Sequence, residues 1–522
     1  MPSTTHTTPY RVRCHPTLGV FVRLVGLVLL LSQSCGRTDS RKGDSGSTTA
    51  TGASGDTDTD IDTDTDTETD TVPPVEDWFA SATSEADFAL YGTSSGDRFG
   101  HVGTPGDLDG DGLAEIAAAR TGLFPADAGP TWVTVVYGTT NWGSPRKARL
   151  DFADGDAPGP LAGAGDLTGD GLDDLVVCSP GSDAIADNTG VAWVLPGGER
   201  WPVRSDVAAL AVARVHGAPD QGVCASVVTA RDLNGDGRDD LLIGGTYGDA
   251  ASTRGAVWLF PGPVSGDVHT DSATVTLTGA SEADLAGSAL ALGDLTGDGV
   301  RDVVVGALAG GPLANSGAVE VVAGPLASGS LIDADYTLTG IDPQDLVGAP
   351  DSIGIGDLDG DGSADLVLGA AGDEENELLP NHGTVFVVYA EDLYSAPVSS
   401  VARTRFFGLR PNQAAGIAVQ VADLDNDGDV EILFGAPDDV GITSGAFYLF
   451  DDPGLGRYSA GEADTLAVGR GFADRLGTSM AVVGDVDGDG DKDLWIGALD
   501  ADSEAGTLDV GAAYLLRSRV VP

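Results

Sequence analysis

The sequence predicts an all-β fold, a seven-bladed β-propeller of four-stranded blades, and two of its features carry this prediction. An acidic, glycine-kinked loop such as "DLDGDGLAE" (107–115) occurs seven times, and short apolar runs separate the copies, with no helical period over any long window. The seven copies begin, at near-constant spacing, at Asp107, Asp166, Asp232, Asp294, Asp357, Asp423 and Asp485. Seven copies of one β unit are typical of a closed propeller.

Each repeat contains four short strands. A run such as Leu241–Ile243 follows the acidic loop and indicates a strand buried on both faces. After a variable loop, "GAVWLFPG" (255–262) and "ATVTLTG" (273–279) give two more strands, and "ASVVTARD" (225–232) shows the strand that leads into the next acidic loop. Four strands per repeat, seven times, account for the chain from residue 77 to residue 522.

The two ends of this region predict how the ring closes. After the seventh loop only two strands follow, Leu494–Ile496 and Ala512–Leu516, so the last blade lacks its outer strand. An unpaired strand with the outer-strand pattern, "DFALYG" (87–92), precedes the first loop. We expect this strand to complete the last blade and to remove an exposed sheet edge.

Composition excludes two classes of partner. The formal net charge of −54 argues against binding to nucleic acid, whose phosphates need Lys and Arg, and against electrostatic docking on an anionic membrane. Such acidity suits a protein that binds cations or has a solubilising acidic surface.

The N-terminal region predicts export. Arginines precede a short apolar run, Leu24–Leu31, and the segment 1–34 has the form of a signal peptide cut at Ser34–Cys35. It resembles a bacterial lipoprotein signal, which would make Cys35 the lipidated first residue; ordinary secretion with the same cut is the alternative. Residues 35–76 are rich in Thr and Asp, have little apolar surface to bury, and predict a disordered tether. The expected location is therefore the outer membrane or cell surface, or the medium.

The acidic loops predict calcium sites. Oxygen-bearing residues stand at loop positions 1, 3, 5 and 9, the carbonyl at position 7 can add another oxygen, and Gly at position 6 allows the tight turn. Position 12, a glutamate in an EF-hand, is apolar in all seven copies because the chain has already entered a buried strand. Calcium accepts such a flexible oxygen set, whereas zinc would require His or Cys. The predicted ligands, up to seven Ca²⁺ sites, are Asp107, Asp109, Asp111, Leu113 and Glu115; Asp166, Thr168, Asp170, Leu172 and Asp174; Asp232, Asn234, Asp236, Arg238 and Asp240; Asp294, Thr296, Asp298, Val300 and Asp302; Asp357, Asp359, Asp361, Ser363 and Asp365; Asp423, Asp425, Asp427, Asp429 and Glu431; and Asp485, Asp487, Asp489, Asp491 and Asp493.

The seven loops are not equivalent. Position 3 is neutral in loops 2, 3 and 4, where Thr168, Asn234 and Thr296 replace aspartate. Because calcium affinity follows ligand charge, we expect these three loops to bind more weakly.

The chain resembles the FG-GAP repeats of integrin α-subunit propellers and their bacterial relatives. Phe99-Gly100 precedes the first loop, Leu476-Gly477 stands in the matching place before the seventh, and Gly435-Ala436-Pro437 follows the sixth. The resemblance spans about residues 83–520 and implies calcium on the hairpins of one face and a protein or glycan ligand at the opposite face. The sequence departs from integrins in that all seven loops are nearly complete and in that no integrin legs, transmembrane helix or metal-binding insert domain is evident.

Other chemically active residues give weaker signals. The histidines His101, His216, His269 and His382 are widely spaced and lie in no HExxH motif, so the sequence gives no catalytic residue. Cys178 and Cys224 could form a disulfide between adjacent blades in an exported protein, or could be buried free thiols; the sequence leaves both open.

The sequence therefore supports a non-enzymatic binding or adhesion module. Variable loops at 120–129, 245–253 and 372–382 should emerge opposite the calcium hairpins, and Phe124, Tyr247 and Leu378 are candidate contacts there. The alternatives are a lectin-like propeller that binds glycans and a propeller enzyme, a lyase or hydrolase.

Overall fold

The structure is a computed structural model in which residues 86–121, 130–153, 156–163, 165–185, 189–219, 221–246, 253–374, 379–437, 444–471 and 473–517 are described. The predicted signal peptide, the predicted tether and Cys35 lie outside the described residues. Among the described residues, no helix combines the length and the apolar character needed to span a membrane.

The described chain is almost entirely β-strand. In chain order the strands are β1 (Phe88–Tyr91), β2 (Phe99–Gly106), β3 (Glu115–Arg120), β4 (Trp132–Val136), β5 (Lys147–Asp151), β6 (Leu161–Ala162), β7 (Leu175–Ser179), β8 (Val191–Leu195), β9 (Arg204–Asp206), β10 (Ala213–His216), β11 (Val223–Arg231), β12 (Asp239–Gly245), β13 (Ala256–Phe260), β14 (Gly266–His269), β15 (Val275–Thr278), β16 (Ala286–Gly293), β17 (Asp302–Ala307), β18 (Ala318–Val322), β19 (Gly329–Ser330), β20 (Tyr336–Thr339), β21 (Ile353–Gly356), β22 (Asp365–Ala370), β23 (Thr384–Val388), β24 (Ala396–Pro397), β25 (Thr404–Phe407), β26 (Val419–Ala422), β27 (Glu431–Ala436), β28 (Ala446–Phe450), β29 (Arg457–Ser459), β30 (Thr465–Val468), β31 (Leu476–Val483), β32 (Asp493–Ala498) and β33 (Ala512–Leu516). Single-turn helices α1 (Val207–Leu210) and α2 (Val398–Val401) and 3₁₀ turns at Thr270–Ser272, Leu331–Asp333, Ala390–Asp392 and Ala460–Glu462 lie between strands.

These strands form seven sheets, one per acidic loop, which confirms the seven-bladed propeller. Blades 1 to 6 take their four main strands from one repeat each, and the first strands of the blades contact one another in turn around a central channel. The second and third strands are buried along their whole length or nearly so, as their apolar sequences predict.

The prediction of four strands per blade was incomplete. Blades 1 to 5 each gain a short fifth strand, β9, β14, β19, β24 or β29, which pairs in parallel with the outer strand. Each fifth strand comes from the following repeat, from the connection between its third and fourth strands. Sequence patterns missed these strands because they are only two to four residues long and mostly polar.

The predicted closure of the ring is confirmed. β1 pairs antiparallel with β33, with Phe88 opposite Leu515 and Tyr91 opposite Ala512, and thereby becomes the outer strand of blade 7. The ends of the described chain are thus joined within one sheet.

The hydrophobic core is divided among the blade interfaces. Alternate residues of a third strand point to opposite neighbours: in β18, Val319 and Val321 pack with Leu366 of blade 5, whereas Ala318 packs with Leu259 of blade 3. The middle residue of the third strand is aromatic in five blades (Trp193, Trp258, Phe386, Tyr448 and Tyr514) and is Thr134 in blade 1 and Glu320 in blade 4.

Glycines set the spacing of the blades near the channel. A Cβ on Gly435 in blade 6 would lie 1.9 Å from the carbonyl oxygen of Gly477 in blade 7, and a Cβ on Gly369 in blade 5 would lie 1.9 Å from that of Gly416 in blade 6. Neighbouring blades therefore touch backbone to backbone at these positions. This contact explains why glycine stands both in Gly435-Ala436-Pro437 and in Leu476-Gly477, since a side chain at either glycine would separate the two blades.

One interface replaces the glycine contact by a disulfide. Cys178 in β7 and Cys224 in β11 are bonded, with their Cα atoms 5.3 Å apart. Cys224 follows Val223 at a β-bulge in the same place as Gly287 in blade 4, and both have positive φ, +73° and +84°. The sequence left open whether these cysteines form a disulfide or are free thiols, and in the structure they form the disulfide.

Candidate metal centres

The seven acidic loops lie together on one face of the ring. Each loop joins the first and second strands of its blade, and hydrogen bonds link several neighbouring loops. The Asp107 amide donates to Asp173 Oδ2 at 3.0 Å, and the Asp166 amide donates to Asp239 Oδ2 at 2.8 Å. Loop 1 also contacts loop 7, because the Ala114 amide donates to the Asp485 carbonyl at 2.8 Å.

Backbone amides hold the carboxylates at loop positions 1 and 5. In loop 1, Asp107 accepts hydrogen bonds from Gly110 at 2.8 Å and from Gly112 at 2.9 Å. Asp111 accepts one from the amide of Leu113 at 3.0 Å. The bond from position 7 to position 5 recurs in all seven loops, with donors Leu113, Leu172, Arg238, Val300, Ser363, Asp429 and Asp491. The role of their carbonyl oxygens as ligands stays a prediction.

The carboxylate at position 9 is buried beneath each loop. In six loops it accepts a hydrogen bond from the backbone amide of position 2, as where the Leu295 amide donates to Asp302 Oδ2 at 2.8 Å. Burial raises the pKa of Glu115 to about 8 and that of Glu431 to about 7, and nearby aspartates add to both shifts. Burial likewise raises the pKa values of Asp174 and Asp365 to about 6. These carboxylates are costly to ionise without a cation beside them.

Four loops gather at least three carboxylates around one point. Ligand atoms lie within 4.8 Å of one another in four sets: Asp107, Asp109, Asp111 and Glu115; Asp357, Asp359 and Asp361; Asp423, Asp425 and Asp427; and Asp485, Asp487 and Asp493. The donor sets are all oxygen, and in loops 1 and 7 they include the buried acid at position 9, Glu115 or Asp493. Both properties fit a hard divalent cation such as Ca²⁺.

Loops 2, 3 and 4 form no such set among the described residues, and their neutral residues at position 3 explain why. In loop 3, Asn234 Nδ2 donates to Asp240 Oδ1 at 3.0 Å, and in loop 2, Thr168 Oγ1 donates to Asp174 Oδ1 at 3.4 Å. In these two loops a neutral side chain therefore occupies an oxygen of the buried acid.

Two arginines from outside the loops reach predicted ligands. Arg200 binds Asp109 through Nε and Asp111 through Nη2, the latter at 2.7 Å. Arg517 binds Asp487 at 2.7 Å and also contacts Asp87. Sequence analysis missed both because Arg200 belongs to the next repeat and Arg517 follows the last strand, so no local pattern links them to the loops.

The histidines show one grouping that the sequence did not reveal. β10 and β14 pair His216 with His269, and their ring centroids are 5.3 Å apart. His269 Nδ1 also lies 3.3 Å from Asp271 Oδ2. His382 is buried, and its Nδ1 lies 2.8 Å from the carbonyl oxygen of Asp373.

A Gly-x-Ser-x-Gly pattern, which sequence analysis overlooked, occurs at residues 92–96. It lies in the turn between β1 and β2, where the Ser94 amide donates to Asp97 Oδ2 at 2.8 Å. A nucleophile elbow requires a turn from a strand into a helix, so this segment does not have that geometry.

The central channel contains a cavity of about 170 Å³. His101, Asp351 and Gln420 contribute polar atoms to its lining. Two serines of the lining are engaged with the neighbouring blade, as where Ser226 Oγ donates to the Gly287 carbonyl at 2.7 Å. The candidate contact residues of the opposite face, Phe124, Tyr247 and Leu378, lie outside the described residues.

Comparisons with known proteins agree with the fold. The family model for the FG-GAP repeat matches residues 225–260 and 286–322, in blades 3 and 4. Phosphatidylinositol-glycan-specific phospholipase D from Rattus norvegicus is 31% identical over 148 residues, and the one from Homo sapiens is 32% identical over 153 residues. The matched region covers 27% of this chain and only 17% of each relative.

Among solved structures, BBS1N in complex with ARL6DN is 12% identical, with a TM-score of 0.44, and the match covers 82% of this chain and 95% of that chain. The seven sheets and the match to the FG-GAP repeat model both identify the fold. The chain is thus a seven-bladed β-propeller that carries FG-GAP repeats.

Proposed function

We propose that the protein is a calcium-stabilised propeller whose acidic loops hold Ca²⁺ on one face. The observation that carries the proposal is the set of four loops whose carboxylate oxygens converge within 4.8 Å. The buried acid of loop 1, with its raised pKa, supports the same proposal, since a bound cation would offset the cost of ionising it. When bound, calcium supplies charge neutralisation, and the loop residues orient its oxygen shell.

Calcium titration by calorimetry tests this proposal. We expect at least four sites in the full chain. Asp361→Asn in loop 5 should remove or weaken one of them, whereas the matched change Asp298→Asn in loop 4 should have a smaller effect. Heat signals absent at millimolar calcium would contradict the proposal.

We further propose that the propeller is a non-enzymatic binding module, exported and displayed at the cell surface for adhesion or envelope organisation. The N-terminal signal pattern and the tether-like segment support display, and the rigid ring offers a broad face opposite the acidic loops. Binding assays in calcium and in chelator would test it, first on a glycan array and then by capture from envelope extracts. Defined sugars bound on the array would favour the lectin-like alternative.

An enzymatic role is the second candidate, because the relatives are named as phospholipases that act on phosphatidylinositol-glycan. Because the matched region covers only 17% of each relative, the similarity supports an enzymatic role less strongly than the acidic loops support calcium binding. Incubation with a phosphatidylinositol-glycan-anchored protein, with its release as the readout, separates the two roles. Release that is lost in His101→Ala, at the central cavity, would replace the non-enzymatic proposal.

A further inference from the structure

A pair of histidines lies at the outer rim of blade 2, at the end of the strands away from the acidic loops. β10 is the outer strand of this blade, and β14, from the next repeat, pairs with it in parallel. β14 starts beside the acidic loops, since the Val264 amide just before it donates to the carbonyl of Leu167 in loop 2 at 2.7 Å. His216 and His269, the last residues of the two strands, are therefore paired at the far end.

The two imidazole rings have the separation that one shared metal ion requires. Their centroids are 5.3 Å apart, and the ring planes meet at 84°. Two imidazoles on one tetrahedral zinc ion, with Zn–N distances of about 2.0 Å, have centroids about 5 Å apart. Both residues are half-buried, and 37% of the His269 side chain is exposed, so an ion can reach the pair from solvent.

Each ring has an acceptor beside Nδ1, which suits a metal on Nε2. His216 Nδ1 lies 3.2 Å from the Gly217 carbonyl oxygen, and His269 Nδ1 lies 3.3 Å from Asp271 Oδ2. A neutral imidazole carries one proton, and when Nδ1 donates it to such an acceptor the metal-binding lone pair is on Nε2. Histidines that bind metals almost always donate their other N–H to a carbonyl or a carboxylate in this way.

His269 also stands where other fifth strands end in a small capping residue. β9, β19 and β29 end in Asp206, Ser330 and Ser459, and each of these side chains accepts a hydrogen bond from the amide two residues later. The Asp271 amide likewise donates to His269 Nδ1 at 3.1 Å in the tautomer that leaves Nδ1 without a proton. Histidine is not among the preferred N-cap residues, so capping alone does not account for an imidazole here.

The charges around the pair favour a cation. Arg214 and Asp267 stand two residues before the histidines, lie opposite each other and form an ion pair, with Nη2 3.0 Å from Oδ2. The arginine charge is therefore balanced on its own strand pair. Asp271 adds a carboxylate beside His269, and this negative charge favours a divalent cation.

We propose that His216 and His269 bind a zinc-class divalent ion through Nε2, with Asp271 orienting the second ring and water completing the coordination. Imidazole nitrogen suits Zn²⁺, Cu²⁺ and Ni²⁺, whereas Ca²⁺ takes oxygen, so this site differs in chemistry from the acidic loops. The ion joins β10 of blade 2 to β14 of the following repeat. The disulfide between Cys178 and Cys224 joins the same two repeats, so one junction of the ring carries two cross-links.

Calorimetric titration of the full chain with Zn²⁺, in saturating Ca²⁺, tests the site. We expect the wild type to bind one zinc ion more than His269→Ser, a variant that keeps the capping residue of β19 and β29 and should therefore fold. His216→Gln should show the same loss, whereas His101→Gln, outside the pair, should bind zinc as the wild type does.

The comparison does not depend on the calcium proposal. All four proteins have the same acidic loops, so any zinc bound there cancels in the difference between them. Equal zinc stoichiometry in the wild type, His269→Ser and His216→Gln would overturn the proposal. A calcium titration that distinguished the wild type from His269→Ser would contradict the zinc-class assignment.

Asp271→Asn tests the positioning role of the carboxylate. We expect the variant to bind the same number of zinc ions as the wild type, with the affinity at the histidine pair about tenfold weaker, as when a metal-bound histidine loses its hydrogen-bond partner. Asp333→Asn, in the corresponding turn after β19, is the matched control and should leave zinc affinity unchanged. Equal affinities in the wild type and Asp271→Asn would contradict the part assigned to Asp271.

Discussion

Arg200 supplies a cation to loop 1 from the neighbouring blade. Its guanidinium contacts two of the four carboxylates gathered in loop 1, Asp109 and Asp111, and lies 5.3 Å from the ring of Tyr137. A calcium ion that used both carboxylates would have to displace this side chain. Loop 1 thus has the fullest carboxylate set and also an internal competitor.

Replacing Arg200 by alanine should strengthen calcium binding at loop 1. The arginine is partly exposed, and such ion pairs contribute up to about 1 kcal/mol, so we expect a gain of up to about fivefold in affinity. Calorimetric titration measures it. Arg204→Ala is the control, because Arg204 pairs with Asp151 away from the loops. An unchanged or weaker site in Arg200→Ala would show that the arginine does not compete.

Glu320 is a buried acid in a place where five other blades have an aromatic ring. Its Oε2 has no hydrogen-bond partner in the described structure, and burial, with Asp284 nearby, raises the pKa of Glu320 to about 8. The unfolded chain loses this proton at lower pH than the folded chain does. The contribution of Glu320 to the free energy of unfolding therefore falls as pH rises from about 4.5 to about 8.

Glu320→Gln should remove this pH dependence. We expect the variant to gain stability relative to the wild type between pH 5 and pH 8, by on the order of 3 kcal/mol, as measured by urea unfolding at both values. Glu320→Phe, which restores the aromatic pattern, should behave in the same way if the strand accommodates the ring. A difference in unfolding free energy between Glu320→Gln and the wild type that stays constant with pH would contradict the raised pKa of Glu320.

At this scale the sequence identifies the repeated loop acids but not the arginines that pair with them. The repeat places an acid at position 9 in every copy, and the structure buries all seven. The link between Arg200 and Asp109 depends on how two blades face each other. Glu320 is recognised as unusual only when the third strands of the blades are aligned, because five of the others have an aromatic residue at that position.

Among the strand elements, the bridge between β7 and β11 takes the place of a glycine contact. Cys224 holds a positive φ that glycine adopts without cost. Its side chain is bonded across the interface to Cys178.

The double variant Cys178→Gly and Cys224→Gly should fold into the same propeller. Both it and the double serine variant lose the disulfide contribution, about 2 to 4 kcal/mol, but the glycine variant avoids the left-handed strain. We expect it to be more stable than the serine variant by about 1 kcal/mol in urea unfolding. Equal urea midpoints for the glycine and serine variants would contradict this expectation and would mean that the β-bulge at Cys224 relaxes once the disulfide is absent.

At the scale of elements, the main strands and the closure by β1 follow from apolar runs and spacing. The fifth strands do not, because a two-residue pairing has no periodicity to detect. Each fifth strand is determined by the outer strand of the preceding blade, and that partner is in place only once the ring has assembled.

Across the whole molecule, metal removal and pH should act on the same carboxylates. Burial raises the pKa of Glu115 to about 8 and that of Glu431 to about 7, so without metal these acids destabilise the fold progressively as pH rises from about 4.5 towards 8. Bound calcium would offset this cost.

Chelator should therefore lower the melting temperature substantially at pH 8, on the order of 10 °C, and much less at pH 5.5. Calorimetric or circular-dichroism melts in millimolar calcium and in chelator measure the difference at both values. Coincident melts at pH 8 would refute the metal assignment.

The pairing of β1 with β33 also orders events during synthesis. Of the described strands, β1 is made first and its partner β33 is made after all the others, so the ring has no closed form until β33 has left the ribosome. Closing so large a loop carries a high entropic cost and comes late in folding. In the exported protein that we propose, translocation would therefore act on an open chain of blades and not on a closed ring.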